Sequence, residues 1–385
     1  MKITIISHKV IYKNNKGYCS SGGFIRAVDG FLSRFDEVIV CAPVKEVEDA
    51  FSGEYFDEKI RFNELPYSKG KIAKLMSMPK TFLKIKKYLK DWDIVQLRLP
   101  SYVSLIAFFV MKTHNKKSRY FNYVGGDTFS GNLYSIGNPV LKILLLPVIF
   151  LWQCIDSLII RSSLTFVTGD ALAIKYKKFN VKKIISTTLY LEDIKEASKT
   201  VDFNEHIELL FVGRLSKEKG IKYLVGAVRI LKDAGYKISL KAVGDGNYKN
   251  ELLEEIESLG VQKEIQLLGG VNNRELLLDL YANADIFILP SLTEGTPKVL
   301  IEAMSQGTPV IASEVGGIPG VVKHRENGLL VKPGSEEQIA SAILDLHSDI
   351  NLKQTLIRNG IEVAKKNTLE SLTDLFVREI KENNI

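Results

Sequence analysis

Residues 284–313, "ADIFILPSLTEGTPKVLIEAMSQGTPVIAS", decide the fold. Two short apolar runs rich in β-branched residues, "ADIFILP" and "PVIAS", flank a loop and an amphipathic stretch of helical length, which is the pattern of one βαβ unit. Thr296 is placed to cap the helix, Pro297 to occupy its first position and Gly307 to end it. Glu294 then precedes the helix and Glu302 lies in its second turn. Their separation corresponds to about 12 Å of helix, more than the roughly 5 to 9.5 Å of a glycosidase pair. Two separate jobs are expected rather than one acid–base dyad. The free N–H groups and positive dipole end of this helix suit a phosphate, which would meet Gly295 and Thr296 first. Either glutamate alone would read as an ordinary solvated carboxylate, so the argument rests on the combination.

The same alternation extends in both directions. Strand patterns begin at Lys2, Glu37, Asp93, Arg119 and Leu164 in the first half, and at Ile207, Lys237, Glu264, Ala284, Pro309 and Gly328 in the second, with helical stretches between them. The polar segment 191–206, "LEDIKEASKTVDFNEH", separates the two series. The fold class predicted is α/β, with two Rossmann-like doubly wound domains facing across a cleft where open sheets bind ligands. The expected boundaries are an N-terminal domain over 1–188, a linker over 189–206, a C-terminal domain over 207–365, and a last helix over 366–385 that returns to the N-terminal domain.

A chain of 385 residues is of two-domain length, and 45% hydrophobic with 25% charged residues is ordinary for a globular protein. The net charge of +7 hides an asymmetry: residues 1–185 hold 29 Lys and Arg against 15 Asp and Glu, while the remainder holds 23 against 30. Cys19, Cys41 and Cys154 form no CxxC pair or Cys/His cluster, so a reducing cytoplasm is expected and no zinc. "MKITIISHKV" lacks a long apolar segment before His8 and Lys9 and reads as a first strand, not a signal peptide. No nucleic-acid recognition motif accompanies the basic half.

Three further stretches bear on chemistry. In "VGRLSKEKGIKYL", from Val212, the cations Arg214, Lys217 and Lys219 sit at a helix start where the macrodipole disfavours them, so an anion such as a diphosphate is expected between Arg214 and Lys219. Gly22 and Gly23 open a helix after "KNNKGYCSS" and allow close backbone approach to a ligand, although neither they nor "GDGNYK" complete a GxGxxG. "DWD" at 91–93 imitates a metal motif, yet Asp93 begins an apolar strand and reads as its start. Of five scattered histidines only His8, ending the first strand, is placed to face a cleft.

Taken together, "FVGRLSKEKG", residues 267–320 and "NGLLVKPG" resemble the retaining glycosyltransferases of family 4, or glycosyltransferase group 1, which have the GT-B fold. The resemblance covers nearly the whole chain, and in the first half it is carried by strand order and the "SGG" loop. It implies that Glu294 lies by a donor sugar, with a catalytic part, and that Glu302 bonds the nucleotide ribose. Arg214 and Lys219 would hold the donor diphosphate, Gly295 and Thr296 meet sugar hydroxyls, Gly270 and Val271 lie near the base, and Gly22 and Gly23 approach the phosphate. Many relatives have a catalytic histidine where this chain offers Asp127, and many have a glutamate where it has Gly320. The "NGVD" segment of the family is replaced by "STTLYLED" from Ser186. The resemblance implies a nucleoside-diphosphate sugar donor, UDP- or GDP-linked, transfer with retention to a glycan acceptor, and neither metal nor cofactor. A sugar-nucleotide epimerase, a phosphorylase-like enzyme needing a pyridoxal-phosphate lysine, and a non-catalytic sugar-nucleotide-binding subunit are the alternatives; the last two are disfavoured by the intact Glu294, Arg214 and Lys219 and by the lack of an assignable lysine.

Residues 69–90 hold eight lysines and no acid, with Phe82, Ile85 and Leu89 at helical spacing. Such a helix fits either an anionic bilayer or the outside of the sheet with a solvated lysine face. The 13-residue run 143–155, "ILLLPVIFLWQCI", falls short of the roughly 20 residues needed to span a membrane and is expected to be a buried helix kinked at Pro147, with part of it exposed at the membrane. The expected setting is cytoplasmic, peripheral on the inner face of the cell membrane, with a lipid-linked acceptor.

Overall fold

A computed structural model describes residues 1–20, 23–48, 54–114, 119–126, 139–195 and 205–385. The chain divides into two compact units, Met1–Thr188 with Leu369–Ile385, and Leu189–Thr368.

The C-terminal unit is a sheet of six strands: β11 (His206–Val212), β12 (Lys237–Val243), β13 (Ile265–Gly269), β14 (Ile286–Leu289), β15 (Val310–Ser313) and β16 (Leu329–Val331). For these numbers the preceding strands of the N-terminal unit are β1 (Lys2–Ile6), β2 (Ile11–Asn14), β3 (Gly17–Ser20), β4 (Glu37–Glu46), β5 (Glu54–Tyr55), β6 (Arg61–Pro66), β7 (Ile94–Leu99), β8 (Arg119–Val124), β9 (Thr165–Thr168) and β10 (Val181–Ile184). The order in the C-terminal sheet is β13-β12-β11-β14-β15-β16, with every pairing parallel. Its central strands are buried on both faces, as in Phe287, Ile288 and Leu289, which is why they read as continuous apolar runs. The order reverses between β11 and β14, and loops leaving the carboxyl ends of those two strands meet there.

The N-terminal sheet runs β10-β9-β8-β7-β1-β4-β2-β3-β5, with β6 also paired to β4. β4 has ten residues and serves several neighbours: residues 37–41 pair with β1, 39–44 with β6 and 44–46 with β2. Sequence reading missed β2, β3, β5, β6 and β10. β2 and β3 form an antiparallel hairpin within "IYKNNKGYCS", whose half-buried positions tolerate lysines and asparagines that mimic a loop. One sheet face is covered by an aromatic core in which Phe376 of helix Leu369–Glu382 stacks on Phe31 and meets Phe166 edge-on at 4.5 Å. The other carries helices Lys71–Tyr88, Tyr102–His114 and Pro139–Arg161 through Ile85, Met111 and Ile159.

The 143–155 run is part of that 23-residue helix, which is buried on one side only: Ile149 is buried while Phe150 and Leu151 are exposed. No helix among the described residues is long and apolar enough to cross a membrane. The segment read as a linker begins inside the C-terminal unit: Gln306 donates to the Asp193 carbonyl at 2.6 Å and the Lys195 N–H to the Ser305 carbonyl at 3.0 Å. Asp93 accepts from the Lys2 N–H at 3.2 Å, so this carboxylate anchors the neighbouring strand.

Candidate functional site

The carboxyl rim of the C-terminal sheet is assembled by backbone packing between loops. After β11, residues 213–220 fold into a short 3-10 turn, Lys217–Lys219, before helix Ile221–Asp233. After β14, residues 290–297 lead into helix Lys298–Ser305. The Leu292 N–H donates to the Glu218 carbonyl at 2.8 Å, tying the two loops together. Gly220 has φ +64°, and a Cβ there would stand 2.0 Å from the Pro290 carbonyl oxygen. The approach therefore needs glycine. A third loop, after β15, repeats the device: Gly316 has φ +54° and a Cβ on it would stand 1.9 Å from the Glu294 oxygen.

This frame brings together two of the residues singled out by sequence. Lys219 Nζ lies 2.5 Å from Glu294 Oε1, and the Ser291 hydroxyl donates to the same oxygen at 2.8 Å. The Glu294 side chain is 8% exposed and that of Lys219 25%. A nearly buried carboxylate is thus neutralised by an ammonium group that still reaches solvent, an arrangement in which an anionic ligand could draw the lysine outward. Arg214 is exposed on the same loop, whereas Lys217 pairs with Glu251 at 2.7 Å. Gly295 and Gly270 face open space, so their backbones can be approached. Val271 is half-buried beside Gly270.

Thr296 does not cap the helix. Pro297 itself is the capping residue, with extended backbone, and the Thr296 hydroxyl is buried without a partner. The helix begins one residue later than expected because no side-chain bond from Thr296 holds the first turn. Gly307, at φ +69°, ends it as anticipated.

Glu302 has different partners. Arg274 Nη1 lies 3.0 Å from its Oε1, and the Tyr281 hydroxyl donates to Oε2 at 3.2 Å. Arg274 also reaches Asp193, at 3.5 Å. Burial, and then the Glu302 charge, raise the Tyr281 pKa well above its ordinary value, so the phenol remains a donor. Sequence reading missed Arg274, Asp193 and Tyr281. A signal existed: Arg274 opens helix Arg274–Asn283 immediately after the Asn273 cap, where a cation opposes the dipole, the same argument that singled out Arg214 and Lys219.

In the N-terminal unit, Gly22 and Asp127 lie outside the described residues. Gly23 immediately precedes helix Phe24–Asp29 with φ −66°, an ordinary backbone conformation. His8 lies two residues past the end of β1 at an exposed position; crowding by surrounding protein lowers its pKa first, and the Lys74 and Arg98 charges add to this.

Residues 193–363 match the family described as Glycosyl transferases group 1. An uncharacterized glycosyltransferase, MJ1607, of Methanocaldococcus jannaschii is 37% identical over 163 residues, covering 42% of this chain and 40% of that protein. The amylovoran biosynthesis glycosyltransferase AmsK of Erwinia amylovora is 31% identical over 209 residues, covering 53% and 47%. The chain thus spans less than half the length of these two relatives. Among solved structures, Anabaena HepE in complex with UDP-glucose superposes with a TM-score of 0.68 at 17% identity, covering 99% of this chain and 100% of that one. The fold is GT-B, built of two Rossmann-like units.

Proposed function

From the membership of residues 193–363 in the glycosyl transferases group 1 family, we propose that this chain is a glycosyltransferase. It moves a sugar from a nucleoside-diphosphate sugar to a hydroxyl of a glycan acceptor, with retention of anomeric configuration, in polysaccharide biosynthesis. The bond from the anomeric carbon to the diphosphate breaks, the bond to the acceptor oxygen forms, and the acceptor proton leaves with the nucleoside diphosphate. The observation that carries the reading is the Lys219–Glu294 pair, held by three glycine-bearing loops where the strand order reverses. In this reading Lys219 turns from Glu294 to the diphosphate, joined by Arg214, and stabilises the charge that develops there. Glu294, freed, lies by the sugar. Gly295 and Thr296 offer backbone groups to sugar hydroxyls, Glu302 serves the ribose, and Gly270 with Val271 borders the base.

The N-terminal unit is the acceptor side, from which Gly22 and Gly23 serve the donor phosphate and Asp127 the catalysis, and its basic surface suits a lipid-linked acceptor at an anionic membrane. A neighbour crystallised with UDP-glucose and a relative named for amylovoran biosynthesis support the choice of donor and acceptor class. Incubation with a panel of UDP- and GDP-sugars should release nucleoside diphosphate with one donor. Glu294→Ala and Lys219→Ala should each lower turnover by about 10²-fold or more while remaining folded. Near-normal turnover in both variants would remove this site from the chemistry.

A further inference from the structure

Two helices on one face of the N-terminal unit bury polar side chains among their core-facing isoleucines and carry an apolar stripe on the outside. Helix Lys71–Tyr88 turns Ser77, Thr81 and Ile85 inward. The two hydroxyls are satisfied within the helix, Ser77 donating to the Lys74 carbonyl at 2.8 Å and Thr81 to the Ser77 carbonyl at 3.0 Å. Outward it presents Ile72 and Met76, each 77% exposed, then Pro79 and Leu83. Positions 72, 76, 79 and 83 fall on one stripe of a helix. Helix Pro139–Arg161 has the same design. Asp156 is buried beside Ile159 and Ile160, while Pro147, Leu151, Cys154 and Leu158 form an outward stripe of identical spacing, with Leu151 at 61% and Leu158 at 62% exposure. Helix Tyr102–His114 packs between the two and adds the exposed Phe109.

The charge around the first of these stripes is of one sign. Lys74, Lys80, Lys84, Lys86 and Lys87 are all exposed, and the helix that bears them has no acidic residue. A second copy of the chain seated on this face would bring lysines against lysines. Neither helix is long and apolar enough to cross a bilayer. Apolar side chains ringed by cations fit the boundary between anionic headgroups and acyl chains.

We propose that this face docks on an anionic lipid bilayer, with both outward stripes and Phe109 entering the acyl region and the lysines resting on lipid phosphates. The inference deepens the membrane part of the proposed function and does not depend on the transfer chemistry. Attachment of this kind has two components, a salt-sensitive attraction through lysine and a salt-resistant one through the stripes.

The test uses the intact protein with vesicles of phosphatidylglycerol and phosphatidylethanolamine, and with phosphatidylcholine alone. Sedimentation should recover the protein with the anionic vesicles, with part of the binding persisting in high salt. Trp152, half-buried on helix Pro139–Arg161, reports insertion, because brominated acyl chains should quench it while leaving the core residue Trp92 bright. The triple variant Ile72→Gln, Met76→Gln, Leu83→Gln should bind the same vesicles about tenfold more weakly or worse, with its thermal stabilisation by nucleoside diphosphate unchanged. Failure to sediment with anionic vesicles, binding abolished by salt with no quenching, or a dimer dissociated by the triple variant would each overturn the proposal. Vesicle binding without turnover of any donor would leave it standing and sink the transferase reading; turnover without vesicle binding would do the opposite.

Discussion

Helix Ile221–Asp233 and helix Lys71–Tyr88 both cover a face of a parallel sheet, and they do it in opposite senses. The first buries Ile221, Leu224, Val225, Val228 and Leu231 and leaves Lys222, Arg229 and Lys232 toward solvent. The second buries Ser77 and Thr81 and leaves Ile72, Met76 and Leu83 exposed. Burying a leucine-sized side chain is worth about 1.5 to 3 kcal/mol, so the reversal forgoes stability that the same residues could have supplied. The C-terminal unit is complete in itself, and what it offers a ligand lies in rim loops. The N-terminal unit leaves apolar surface unused by its own fold.

If the C-terminal unit is held by contacts internal to it, the largest effect should come from its buried charges. Arg274→Met would leave Glu302 and Asp193, both mostly buried, without their guanidinium. Breaking one side of such a cluster costs about 3 to 5 kcal/mol. Urea unfolding of the variant should show a loss of that size, together with weaker donor binding. A loss under 1 kcal/mol would mean that the cluster is not structural in this sense, and the contrast between the units would weaken.

The rim offers a comparable test through catalysis. Gly316→Ala places a methyl group against the Glu294 backbone oxygen in a left-handed conformation, so the loop must move. Displacing a reacting group by about 1 Å can cost about 10²-fold in rate, and turnover should fall by that much with secondary structure intact. Gly235→Ala is the control: its φ is +85° but nothing lies near its Cβ position, so it should cost about 1 kcal/mol of stability and no specific activity. Equal effects at the two sites would show that Gly316 acts only through strain.

The same contrast explains what the sequence disclosed. All six strands of the C-terminal unit were legible: β14 and β15, covered on both faces, are apolar throughout, and the others keep enough apolar positions beside turn residues to be read. The lysines in β2 and β10 hid those strands, since partly solvated strands, the second of them at the sheet edge, need no such pattern. Glu294 and Lys219 could be singled out from their loops, but their contact could not: it joins residues 75 apart and exists because β11 and β14 are neighbours. Glu302 was legible as a helix residue, while its link to Asp193 through Arg274 depends on how residues 193–195 lie against the end of helix Lys298–Ser305. Helical periodicity found the stripe Phe82, Ile85 and Leu89, which the structure turns toward the core, and did not find the outward stripe at 72, 76, 79 and 83.

The smallest effect tests the N-terminal unit for a different unresolved cost. Asp29, half-buried at the end of helix Phe24–Asp29, has its pKa pushed up to about 7, by burial first and then by the charges of Asp57 and Glu54. Its folded pKa lies above the unfolded value of 3.8. Folding therefore takes up a proton between those limits, and the stability contributed at low pH is lost as pH rises through the window. Asp29→Asn should be more stable than the parent at pH 8, by about 1 kcal/mol once solvent screening of a partly exposed group is allowed for. The advantage should shrink toward pH 5 and vanish below pH 4, where the parent carboxyl is protonated in both states. Thermal unfolding at the three pH values checks the sign. A variant less stable at pH 8 would mean that ionised Asp29 is compensated locally, which would bring this end of the N-terminal sheet closer to the self-satisfied character of the C-terminal one.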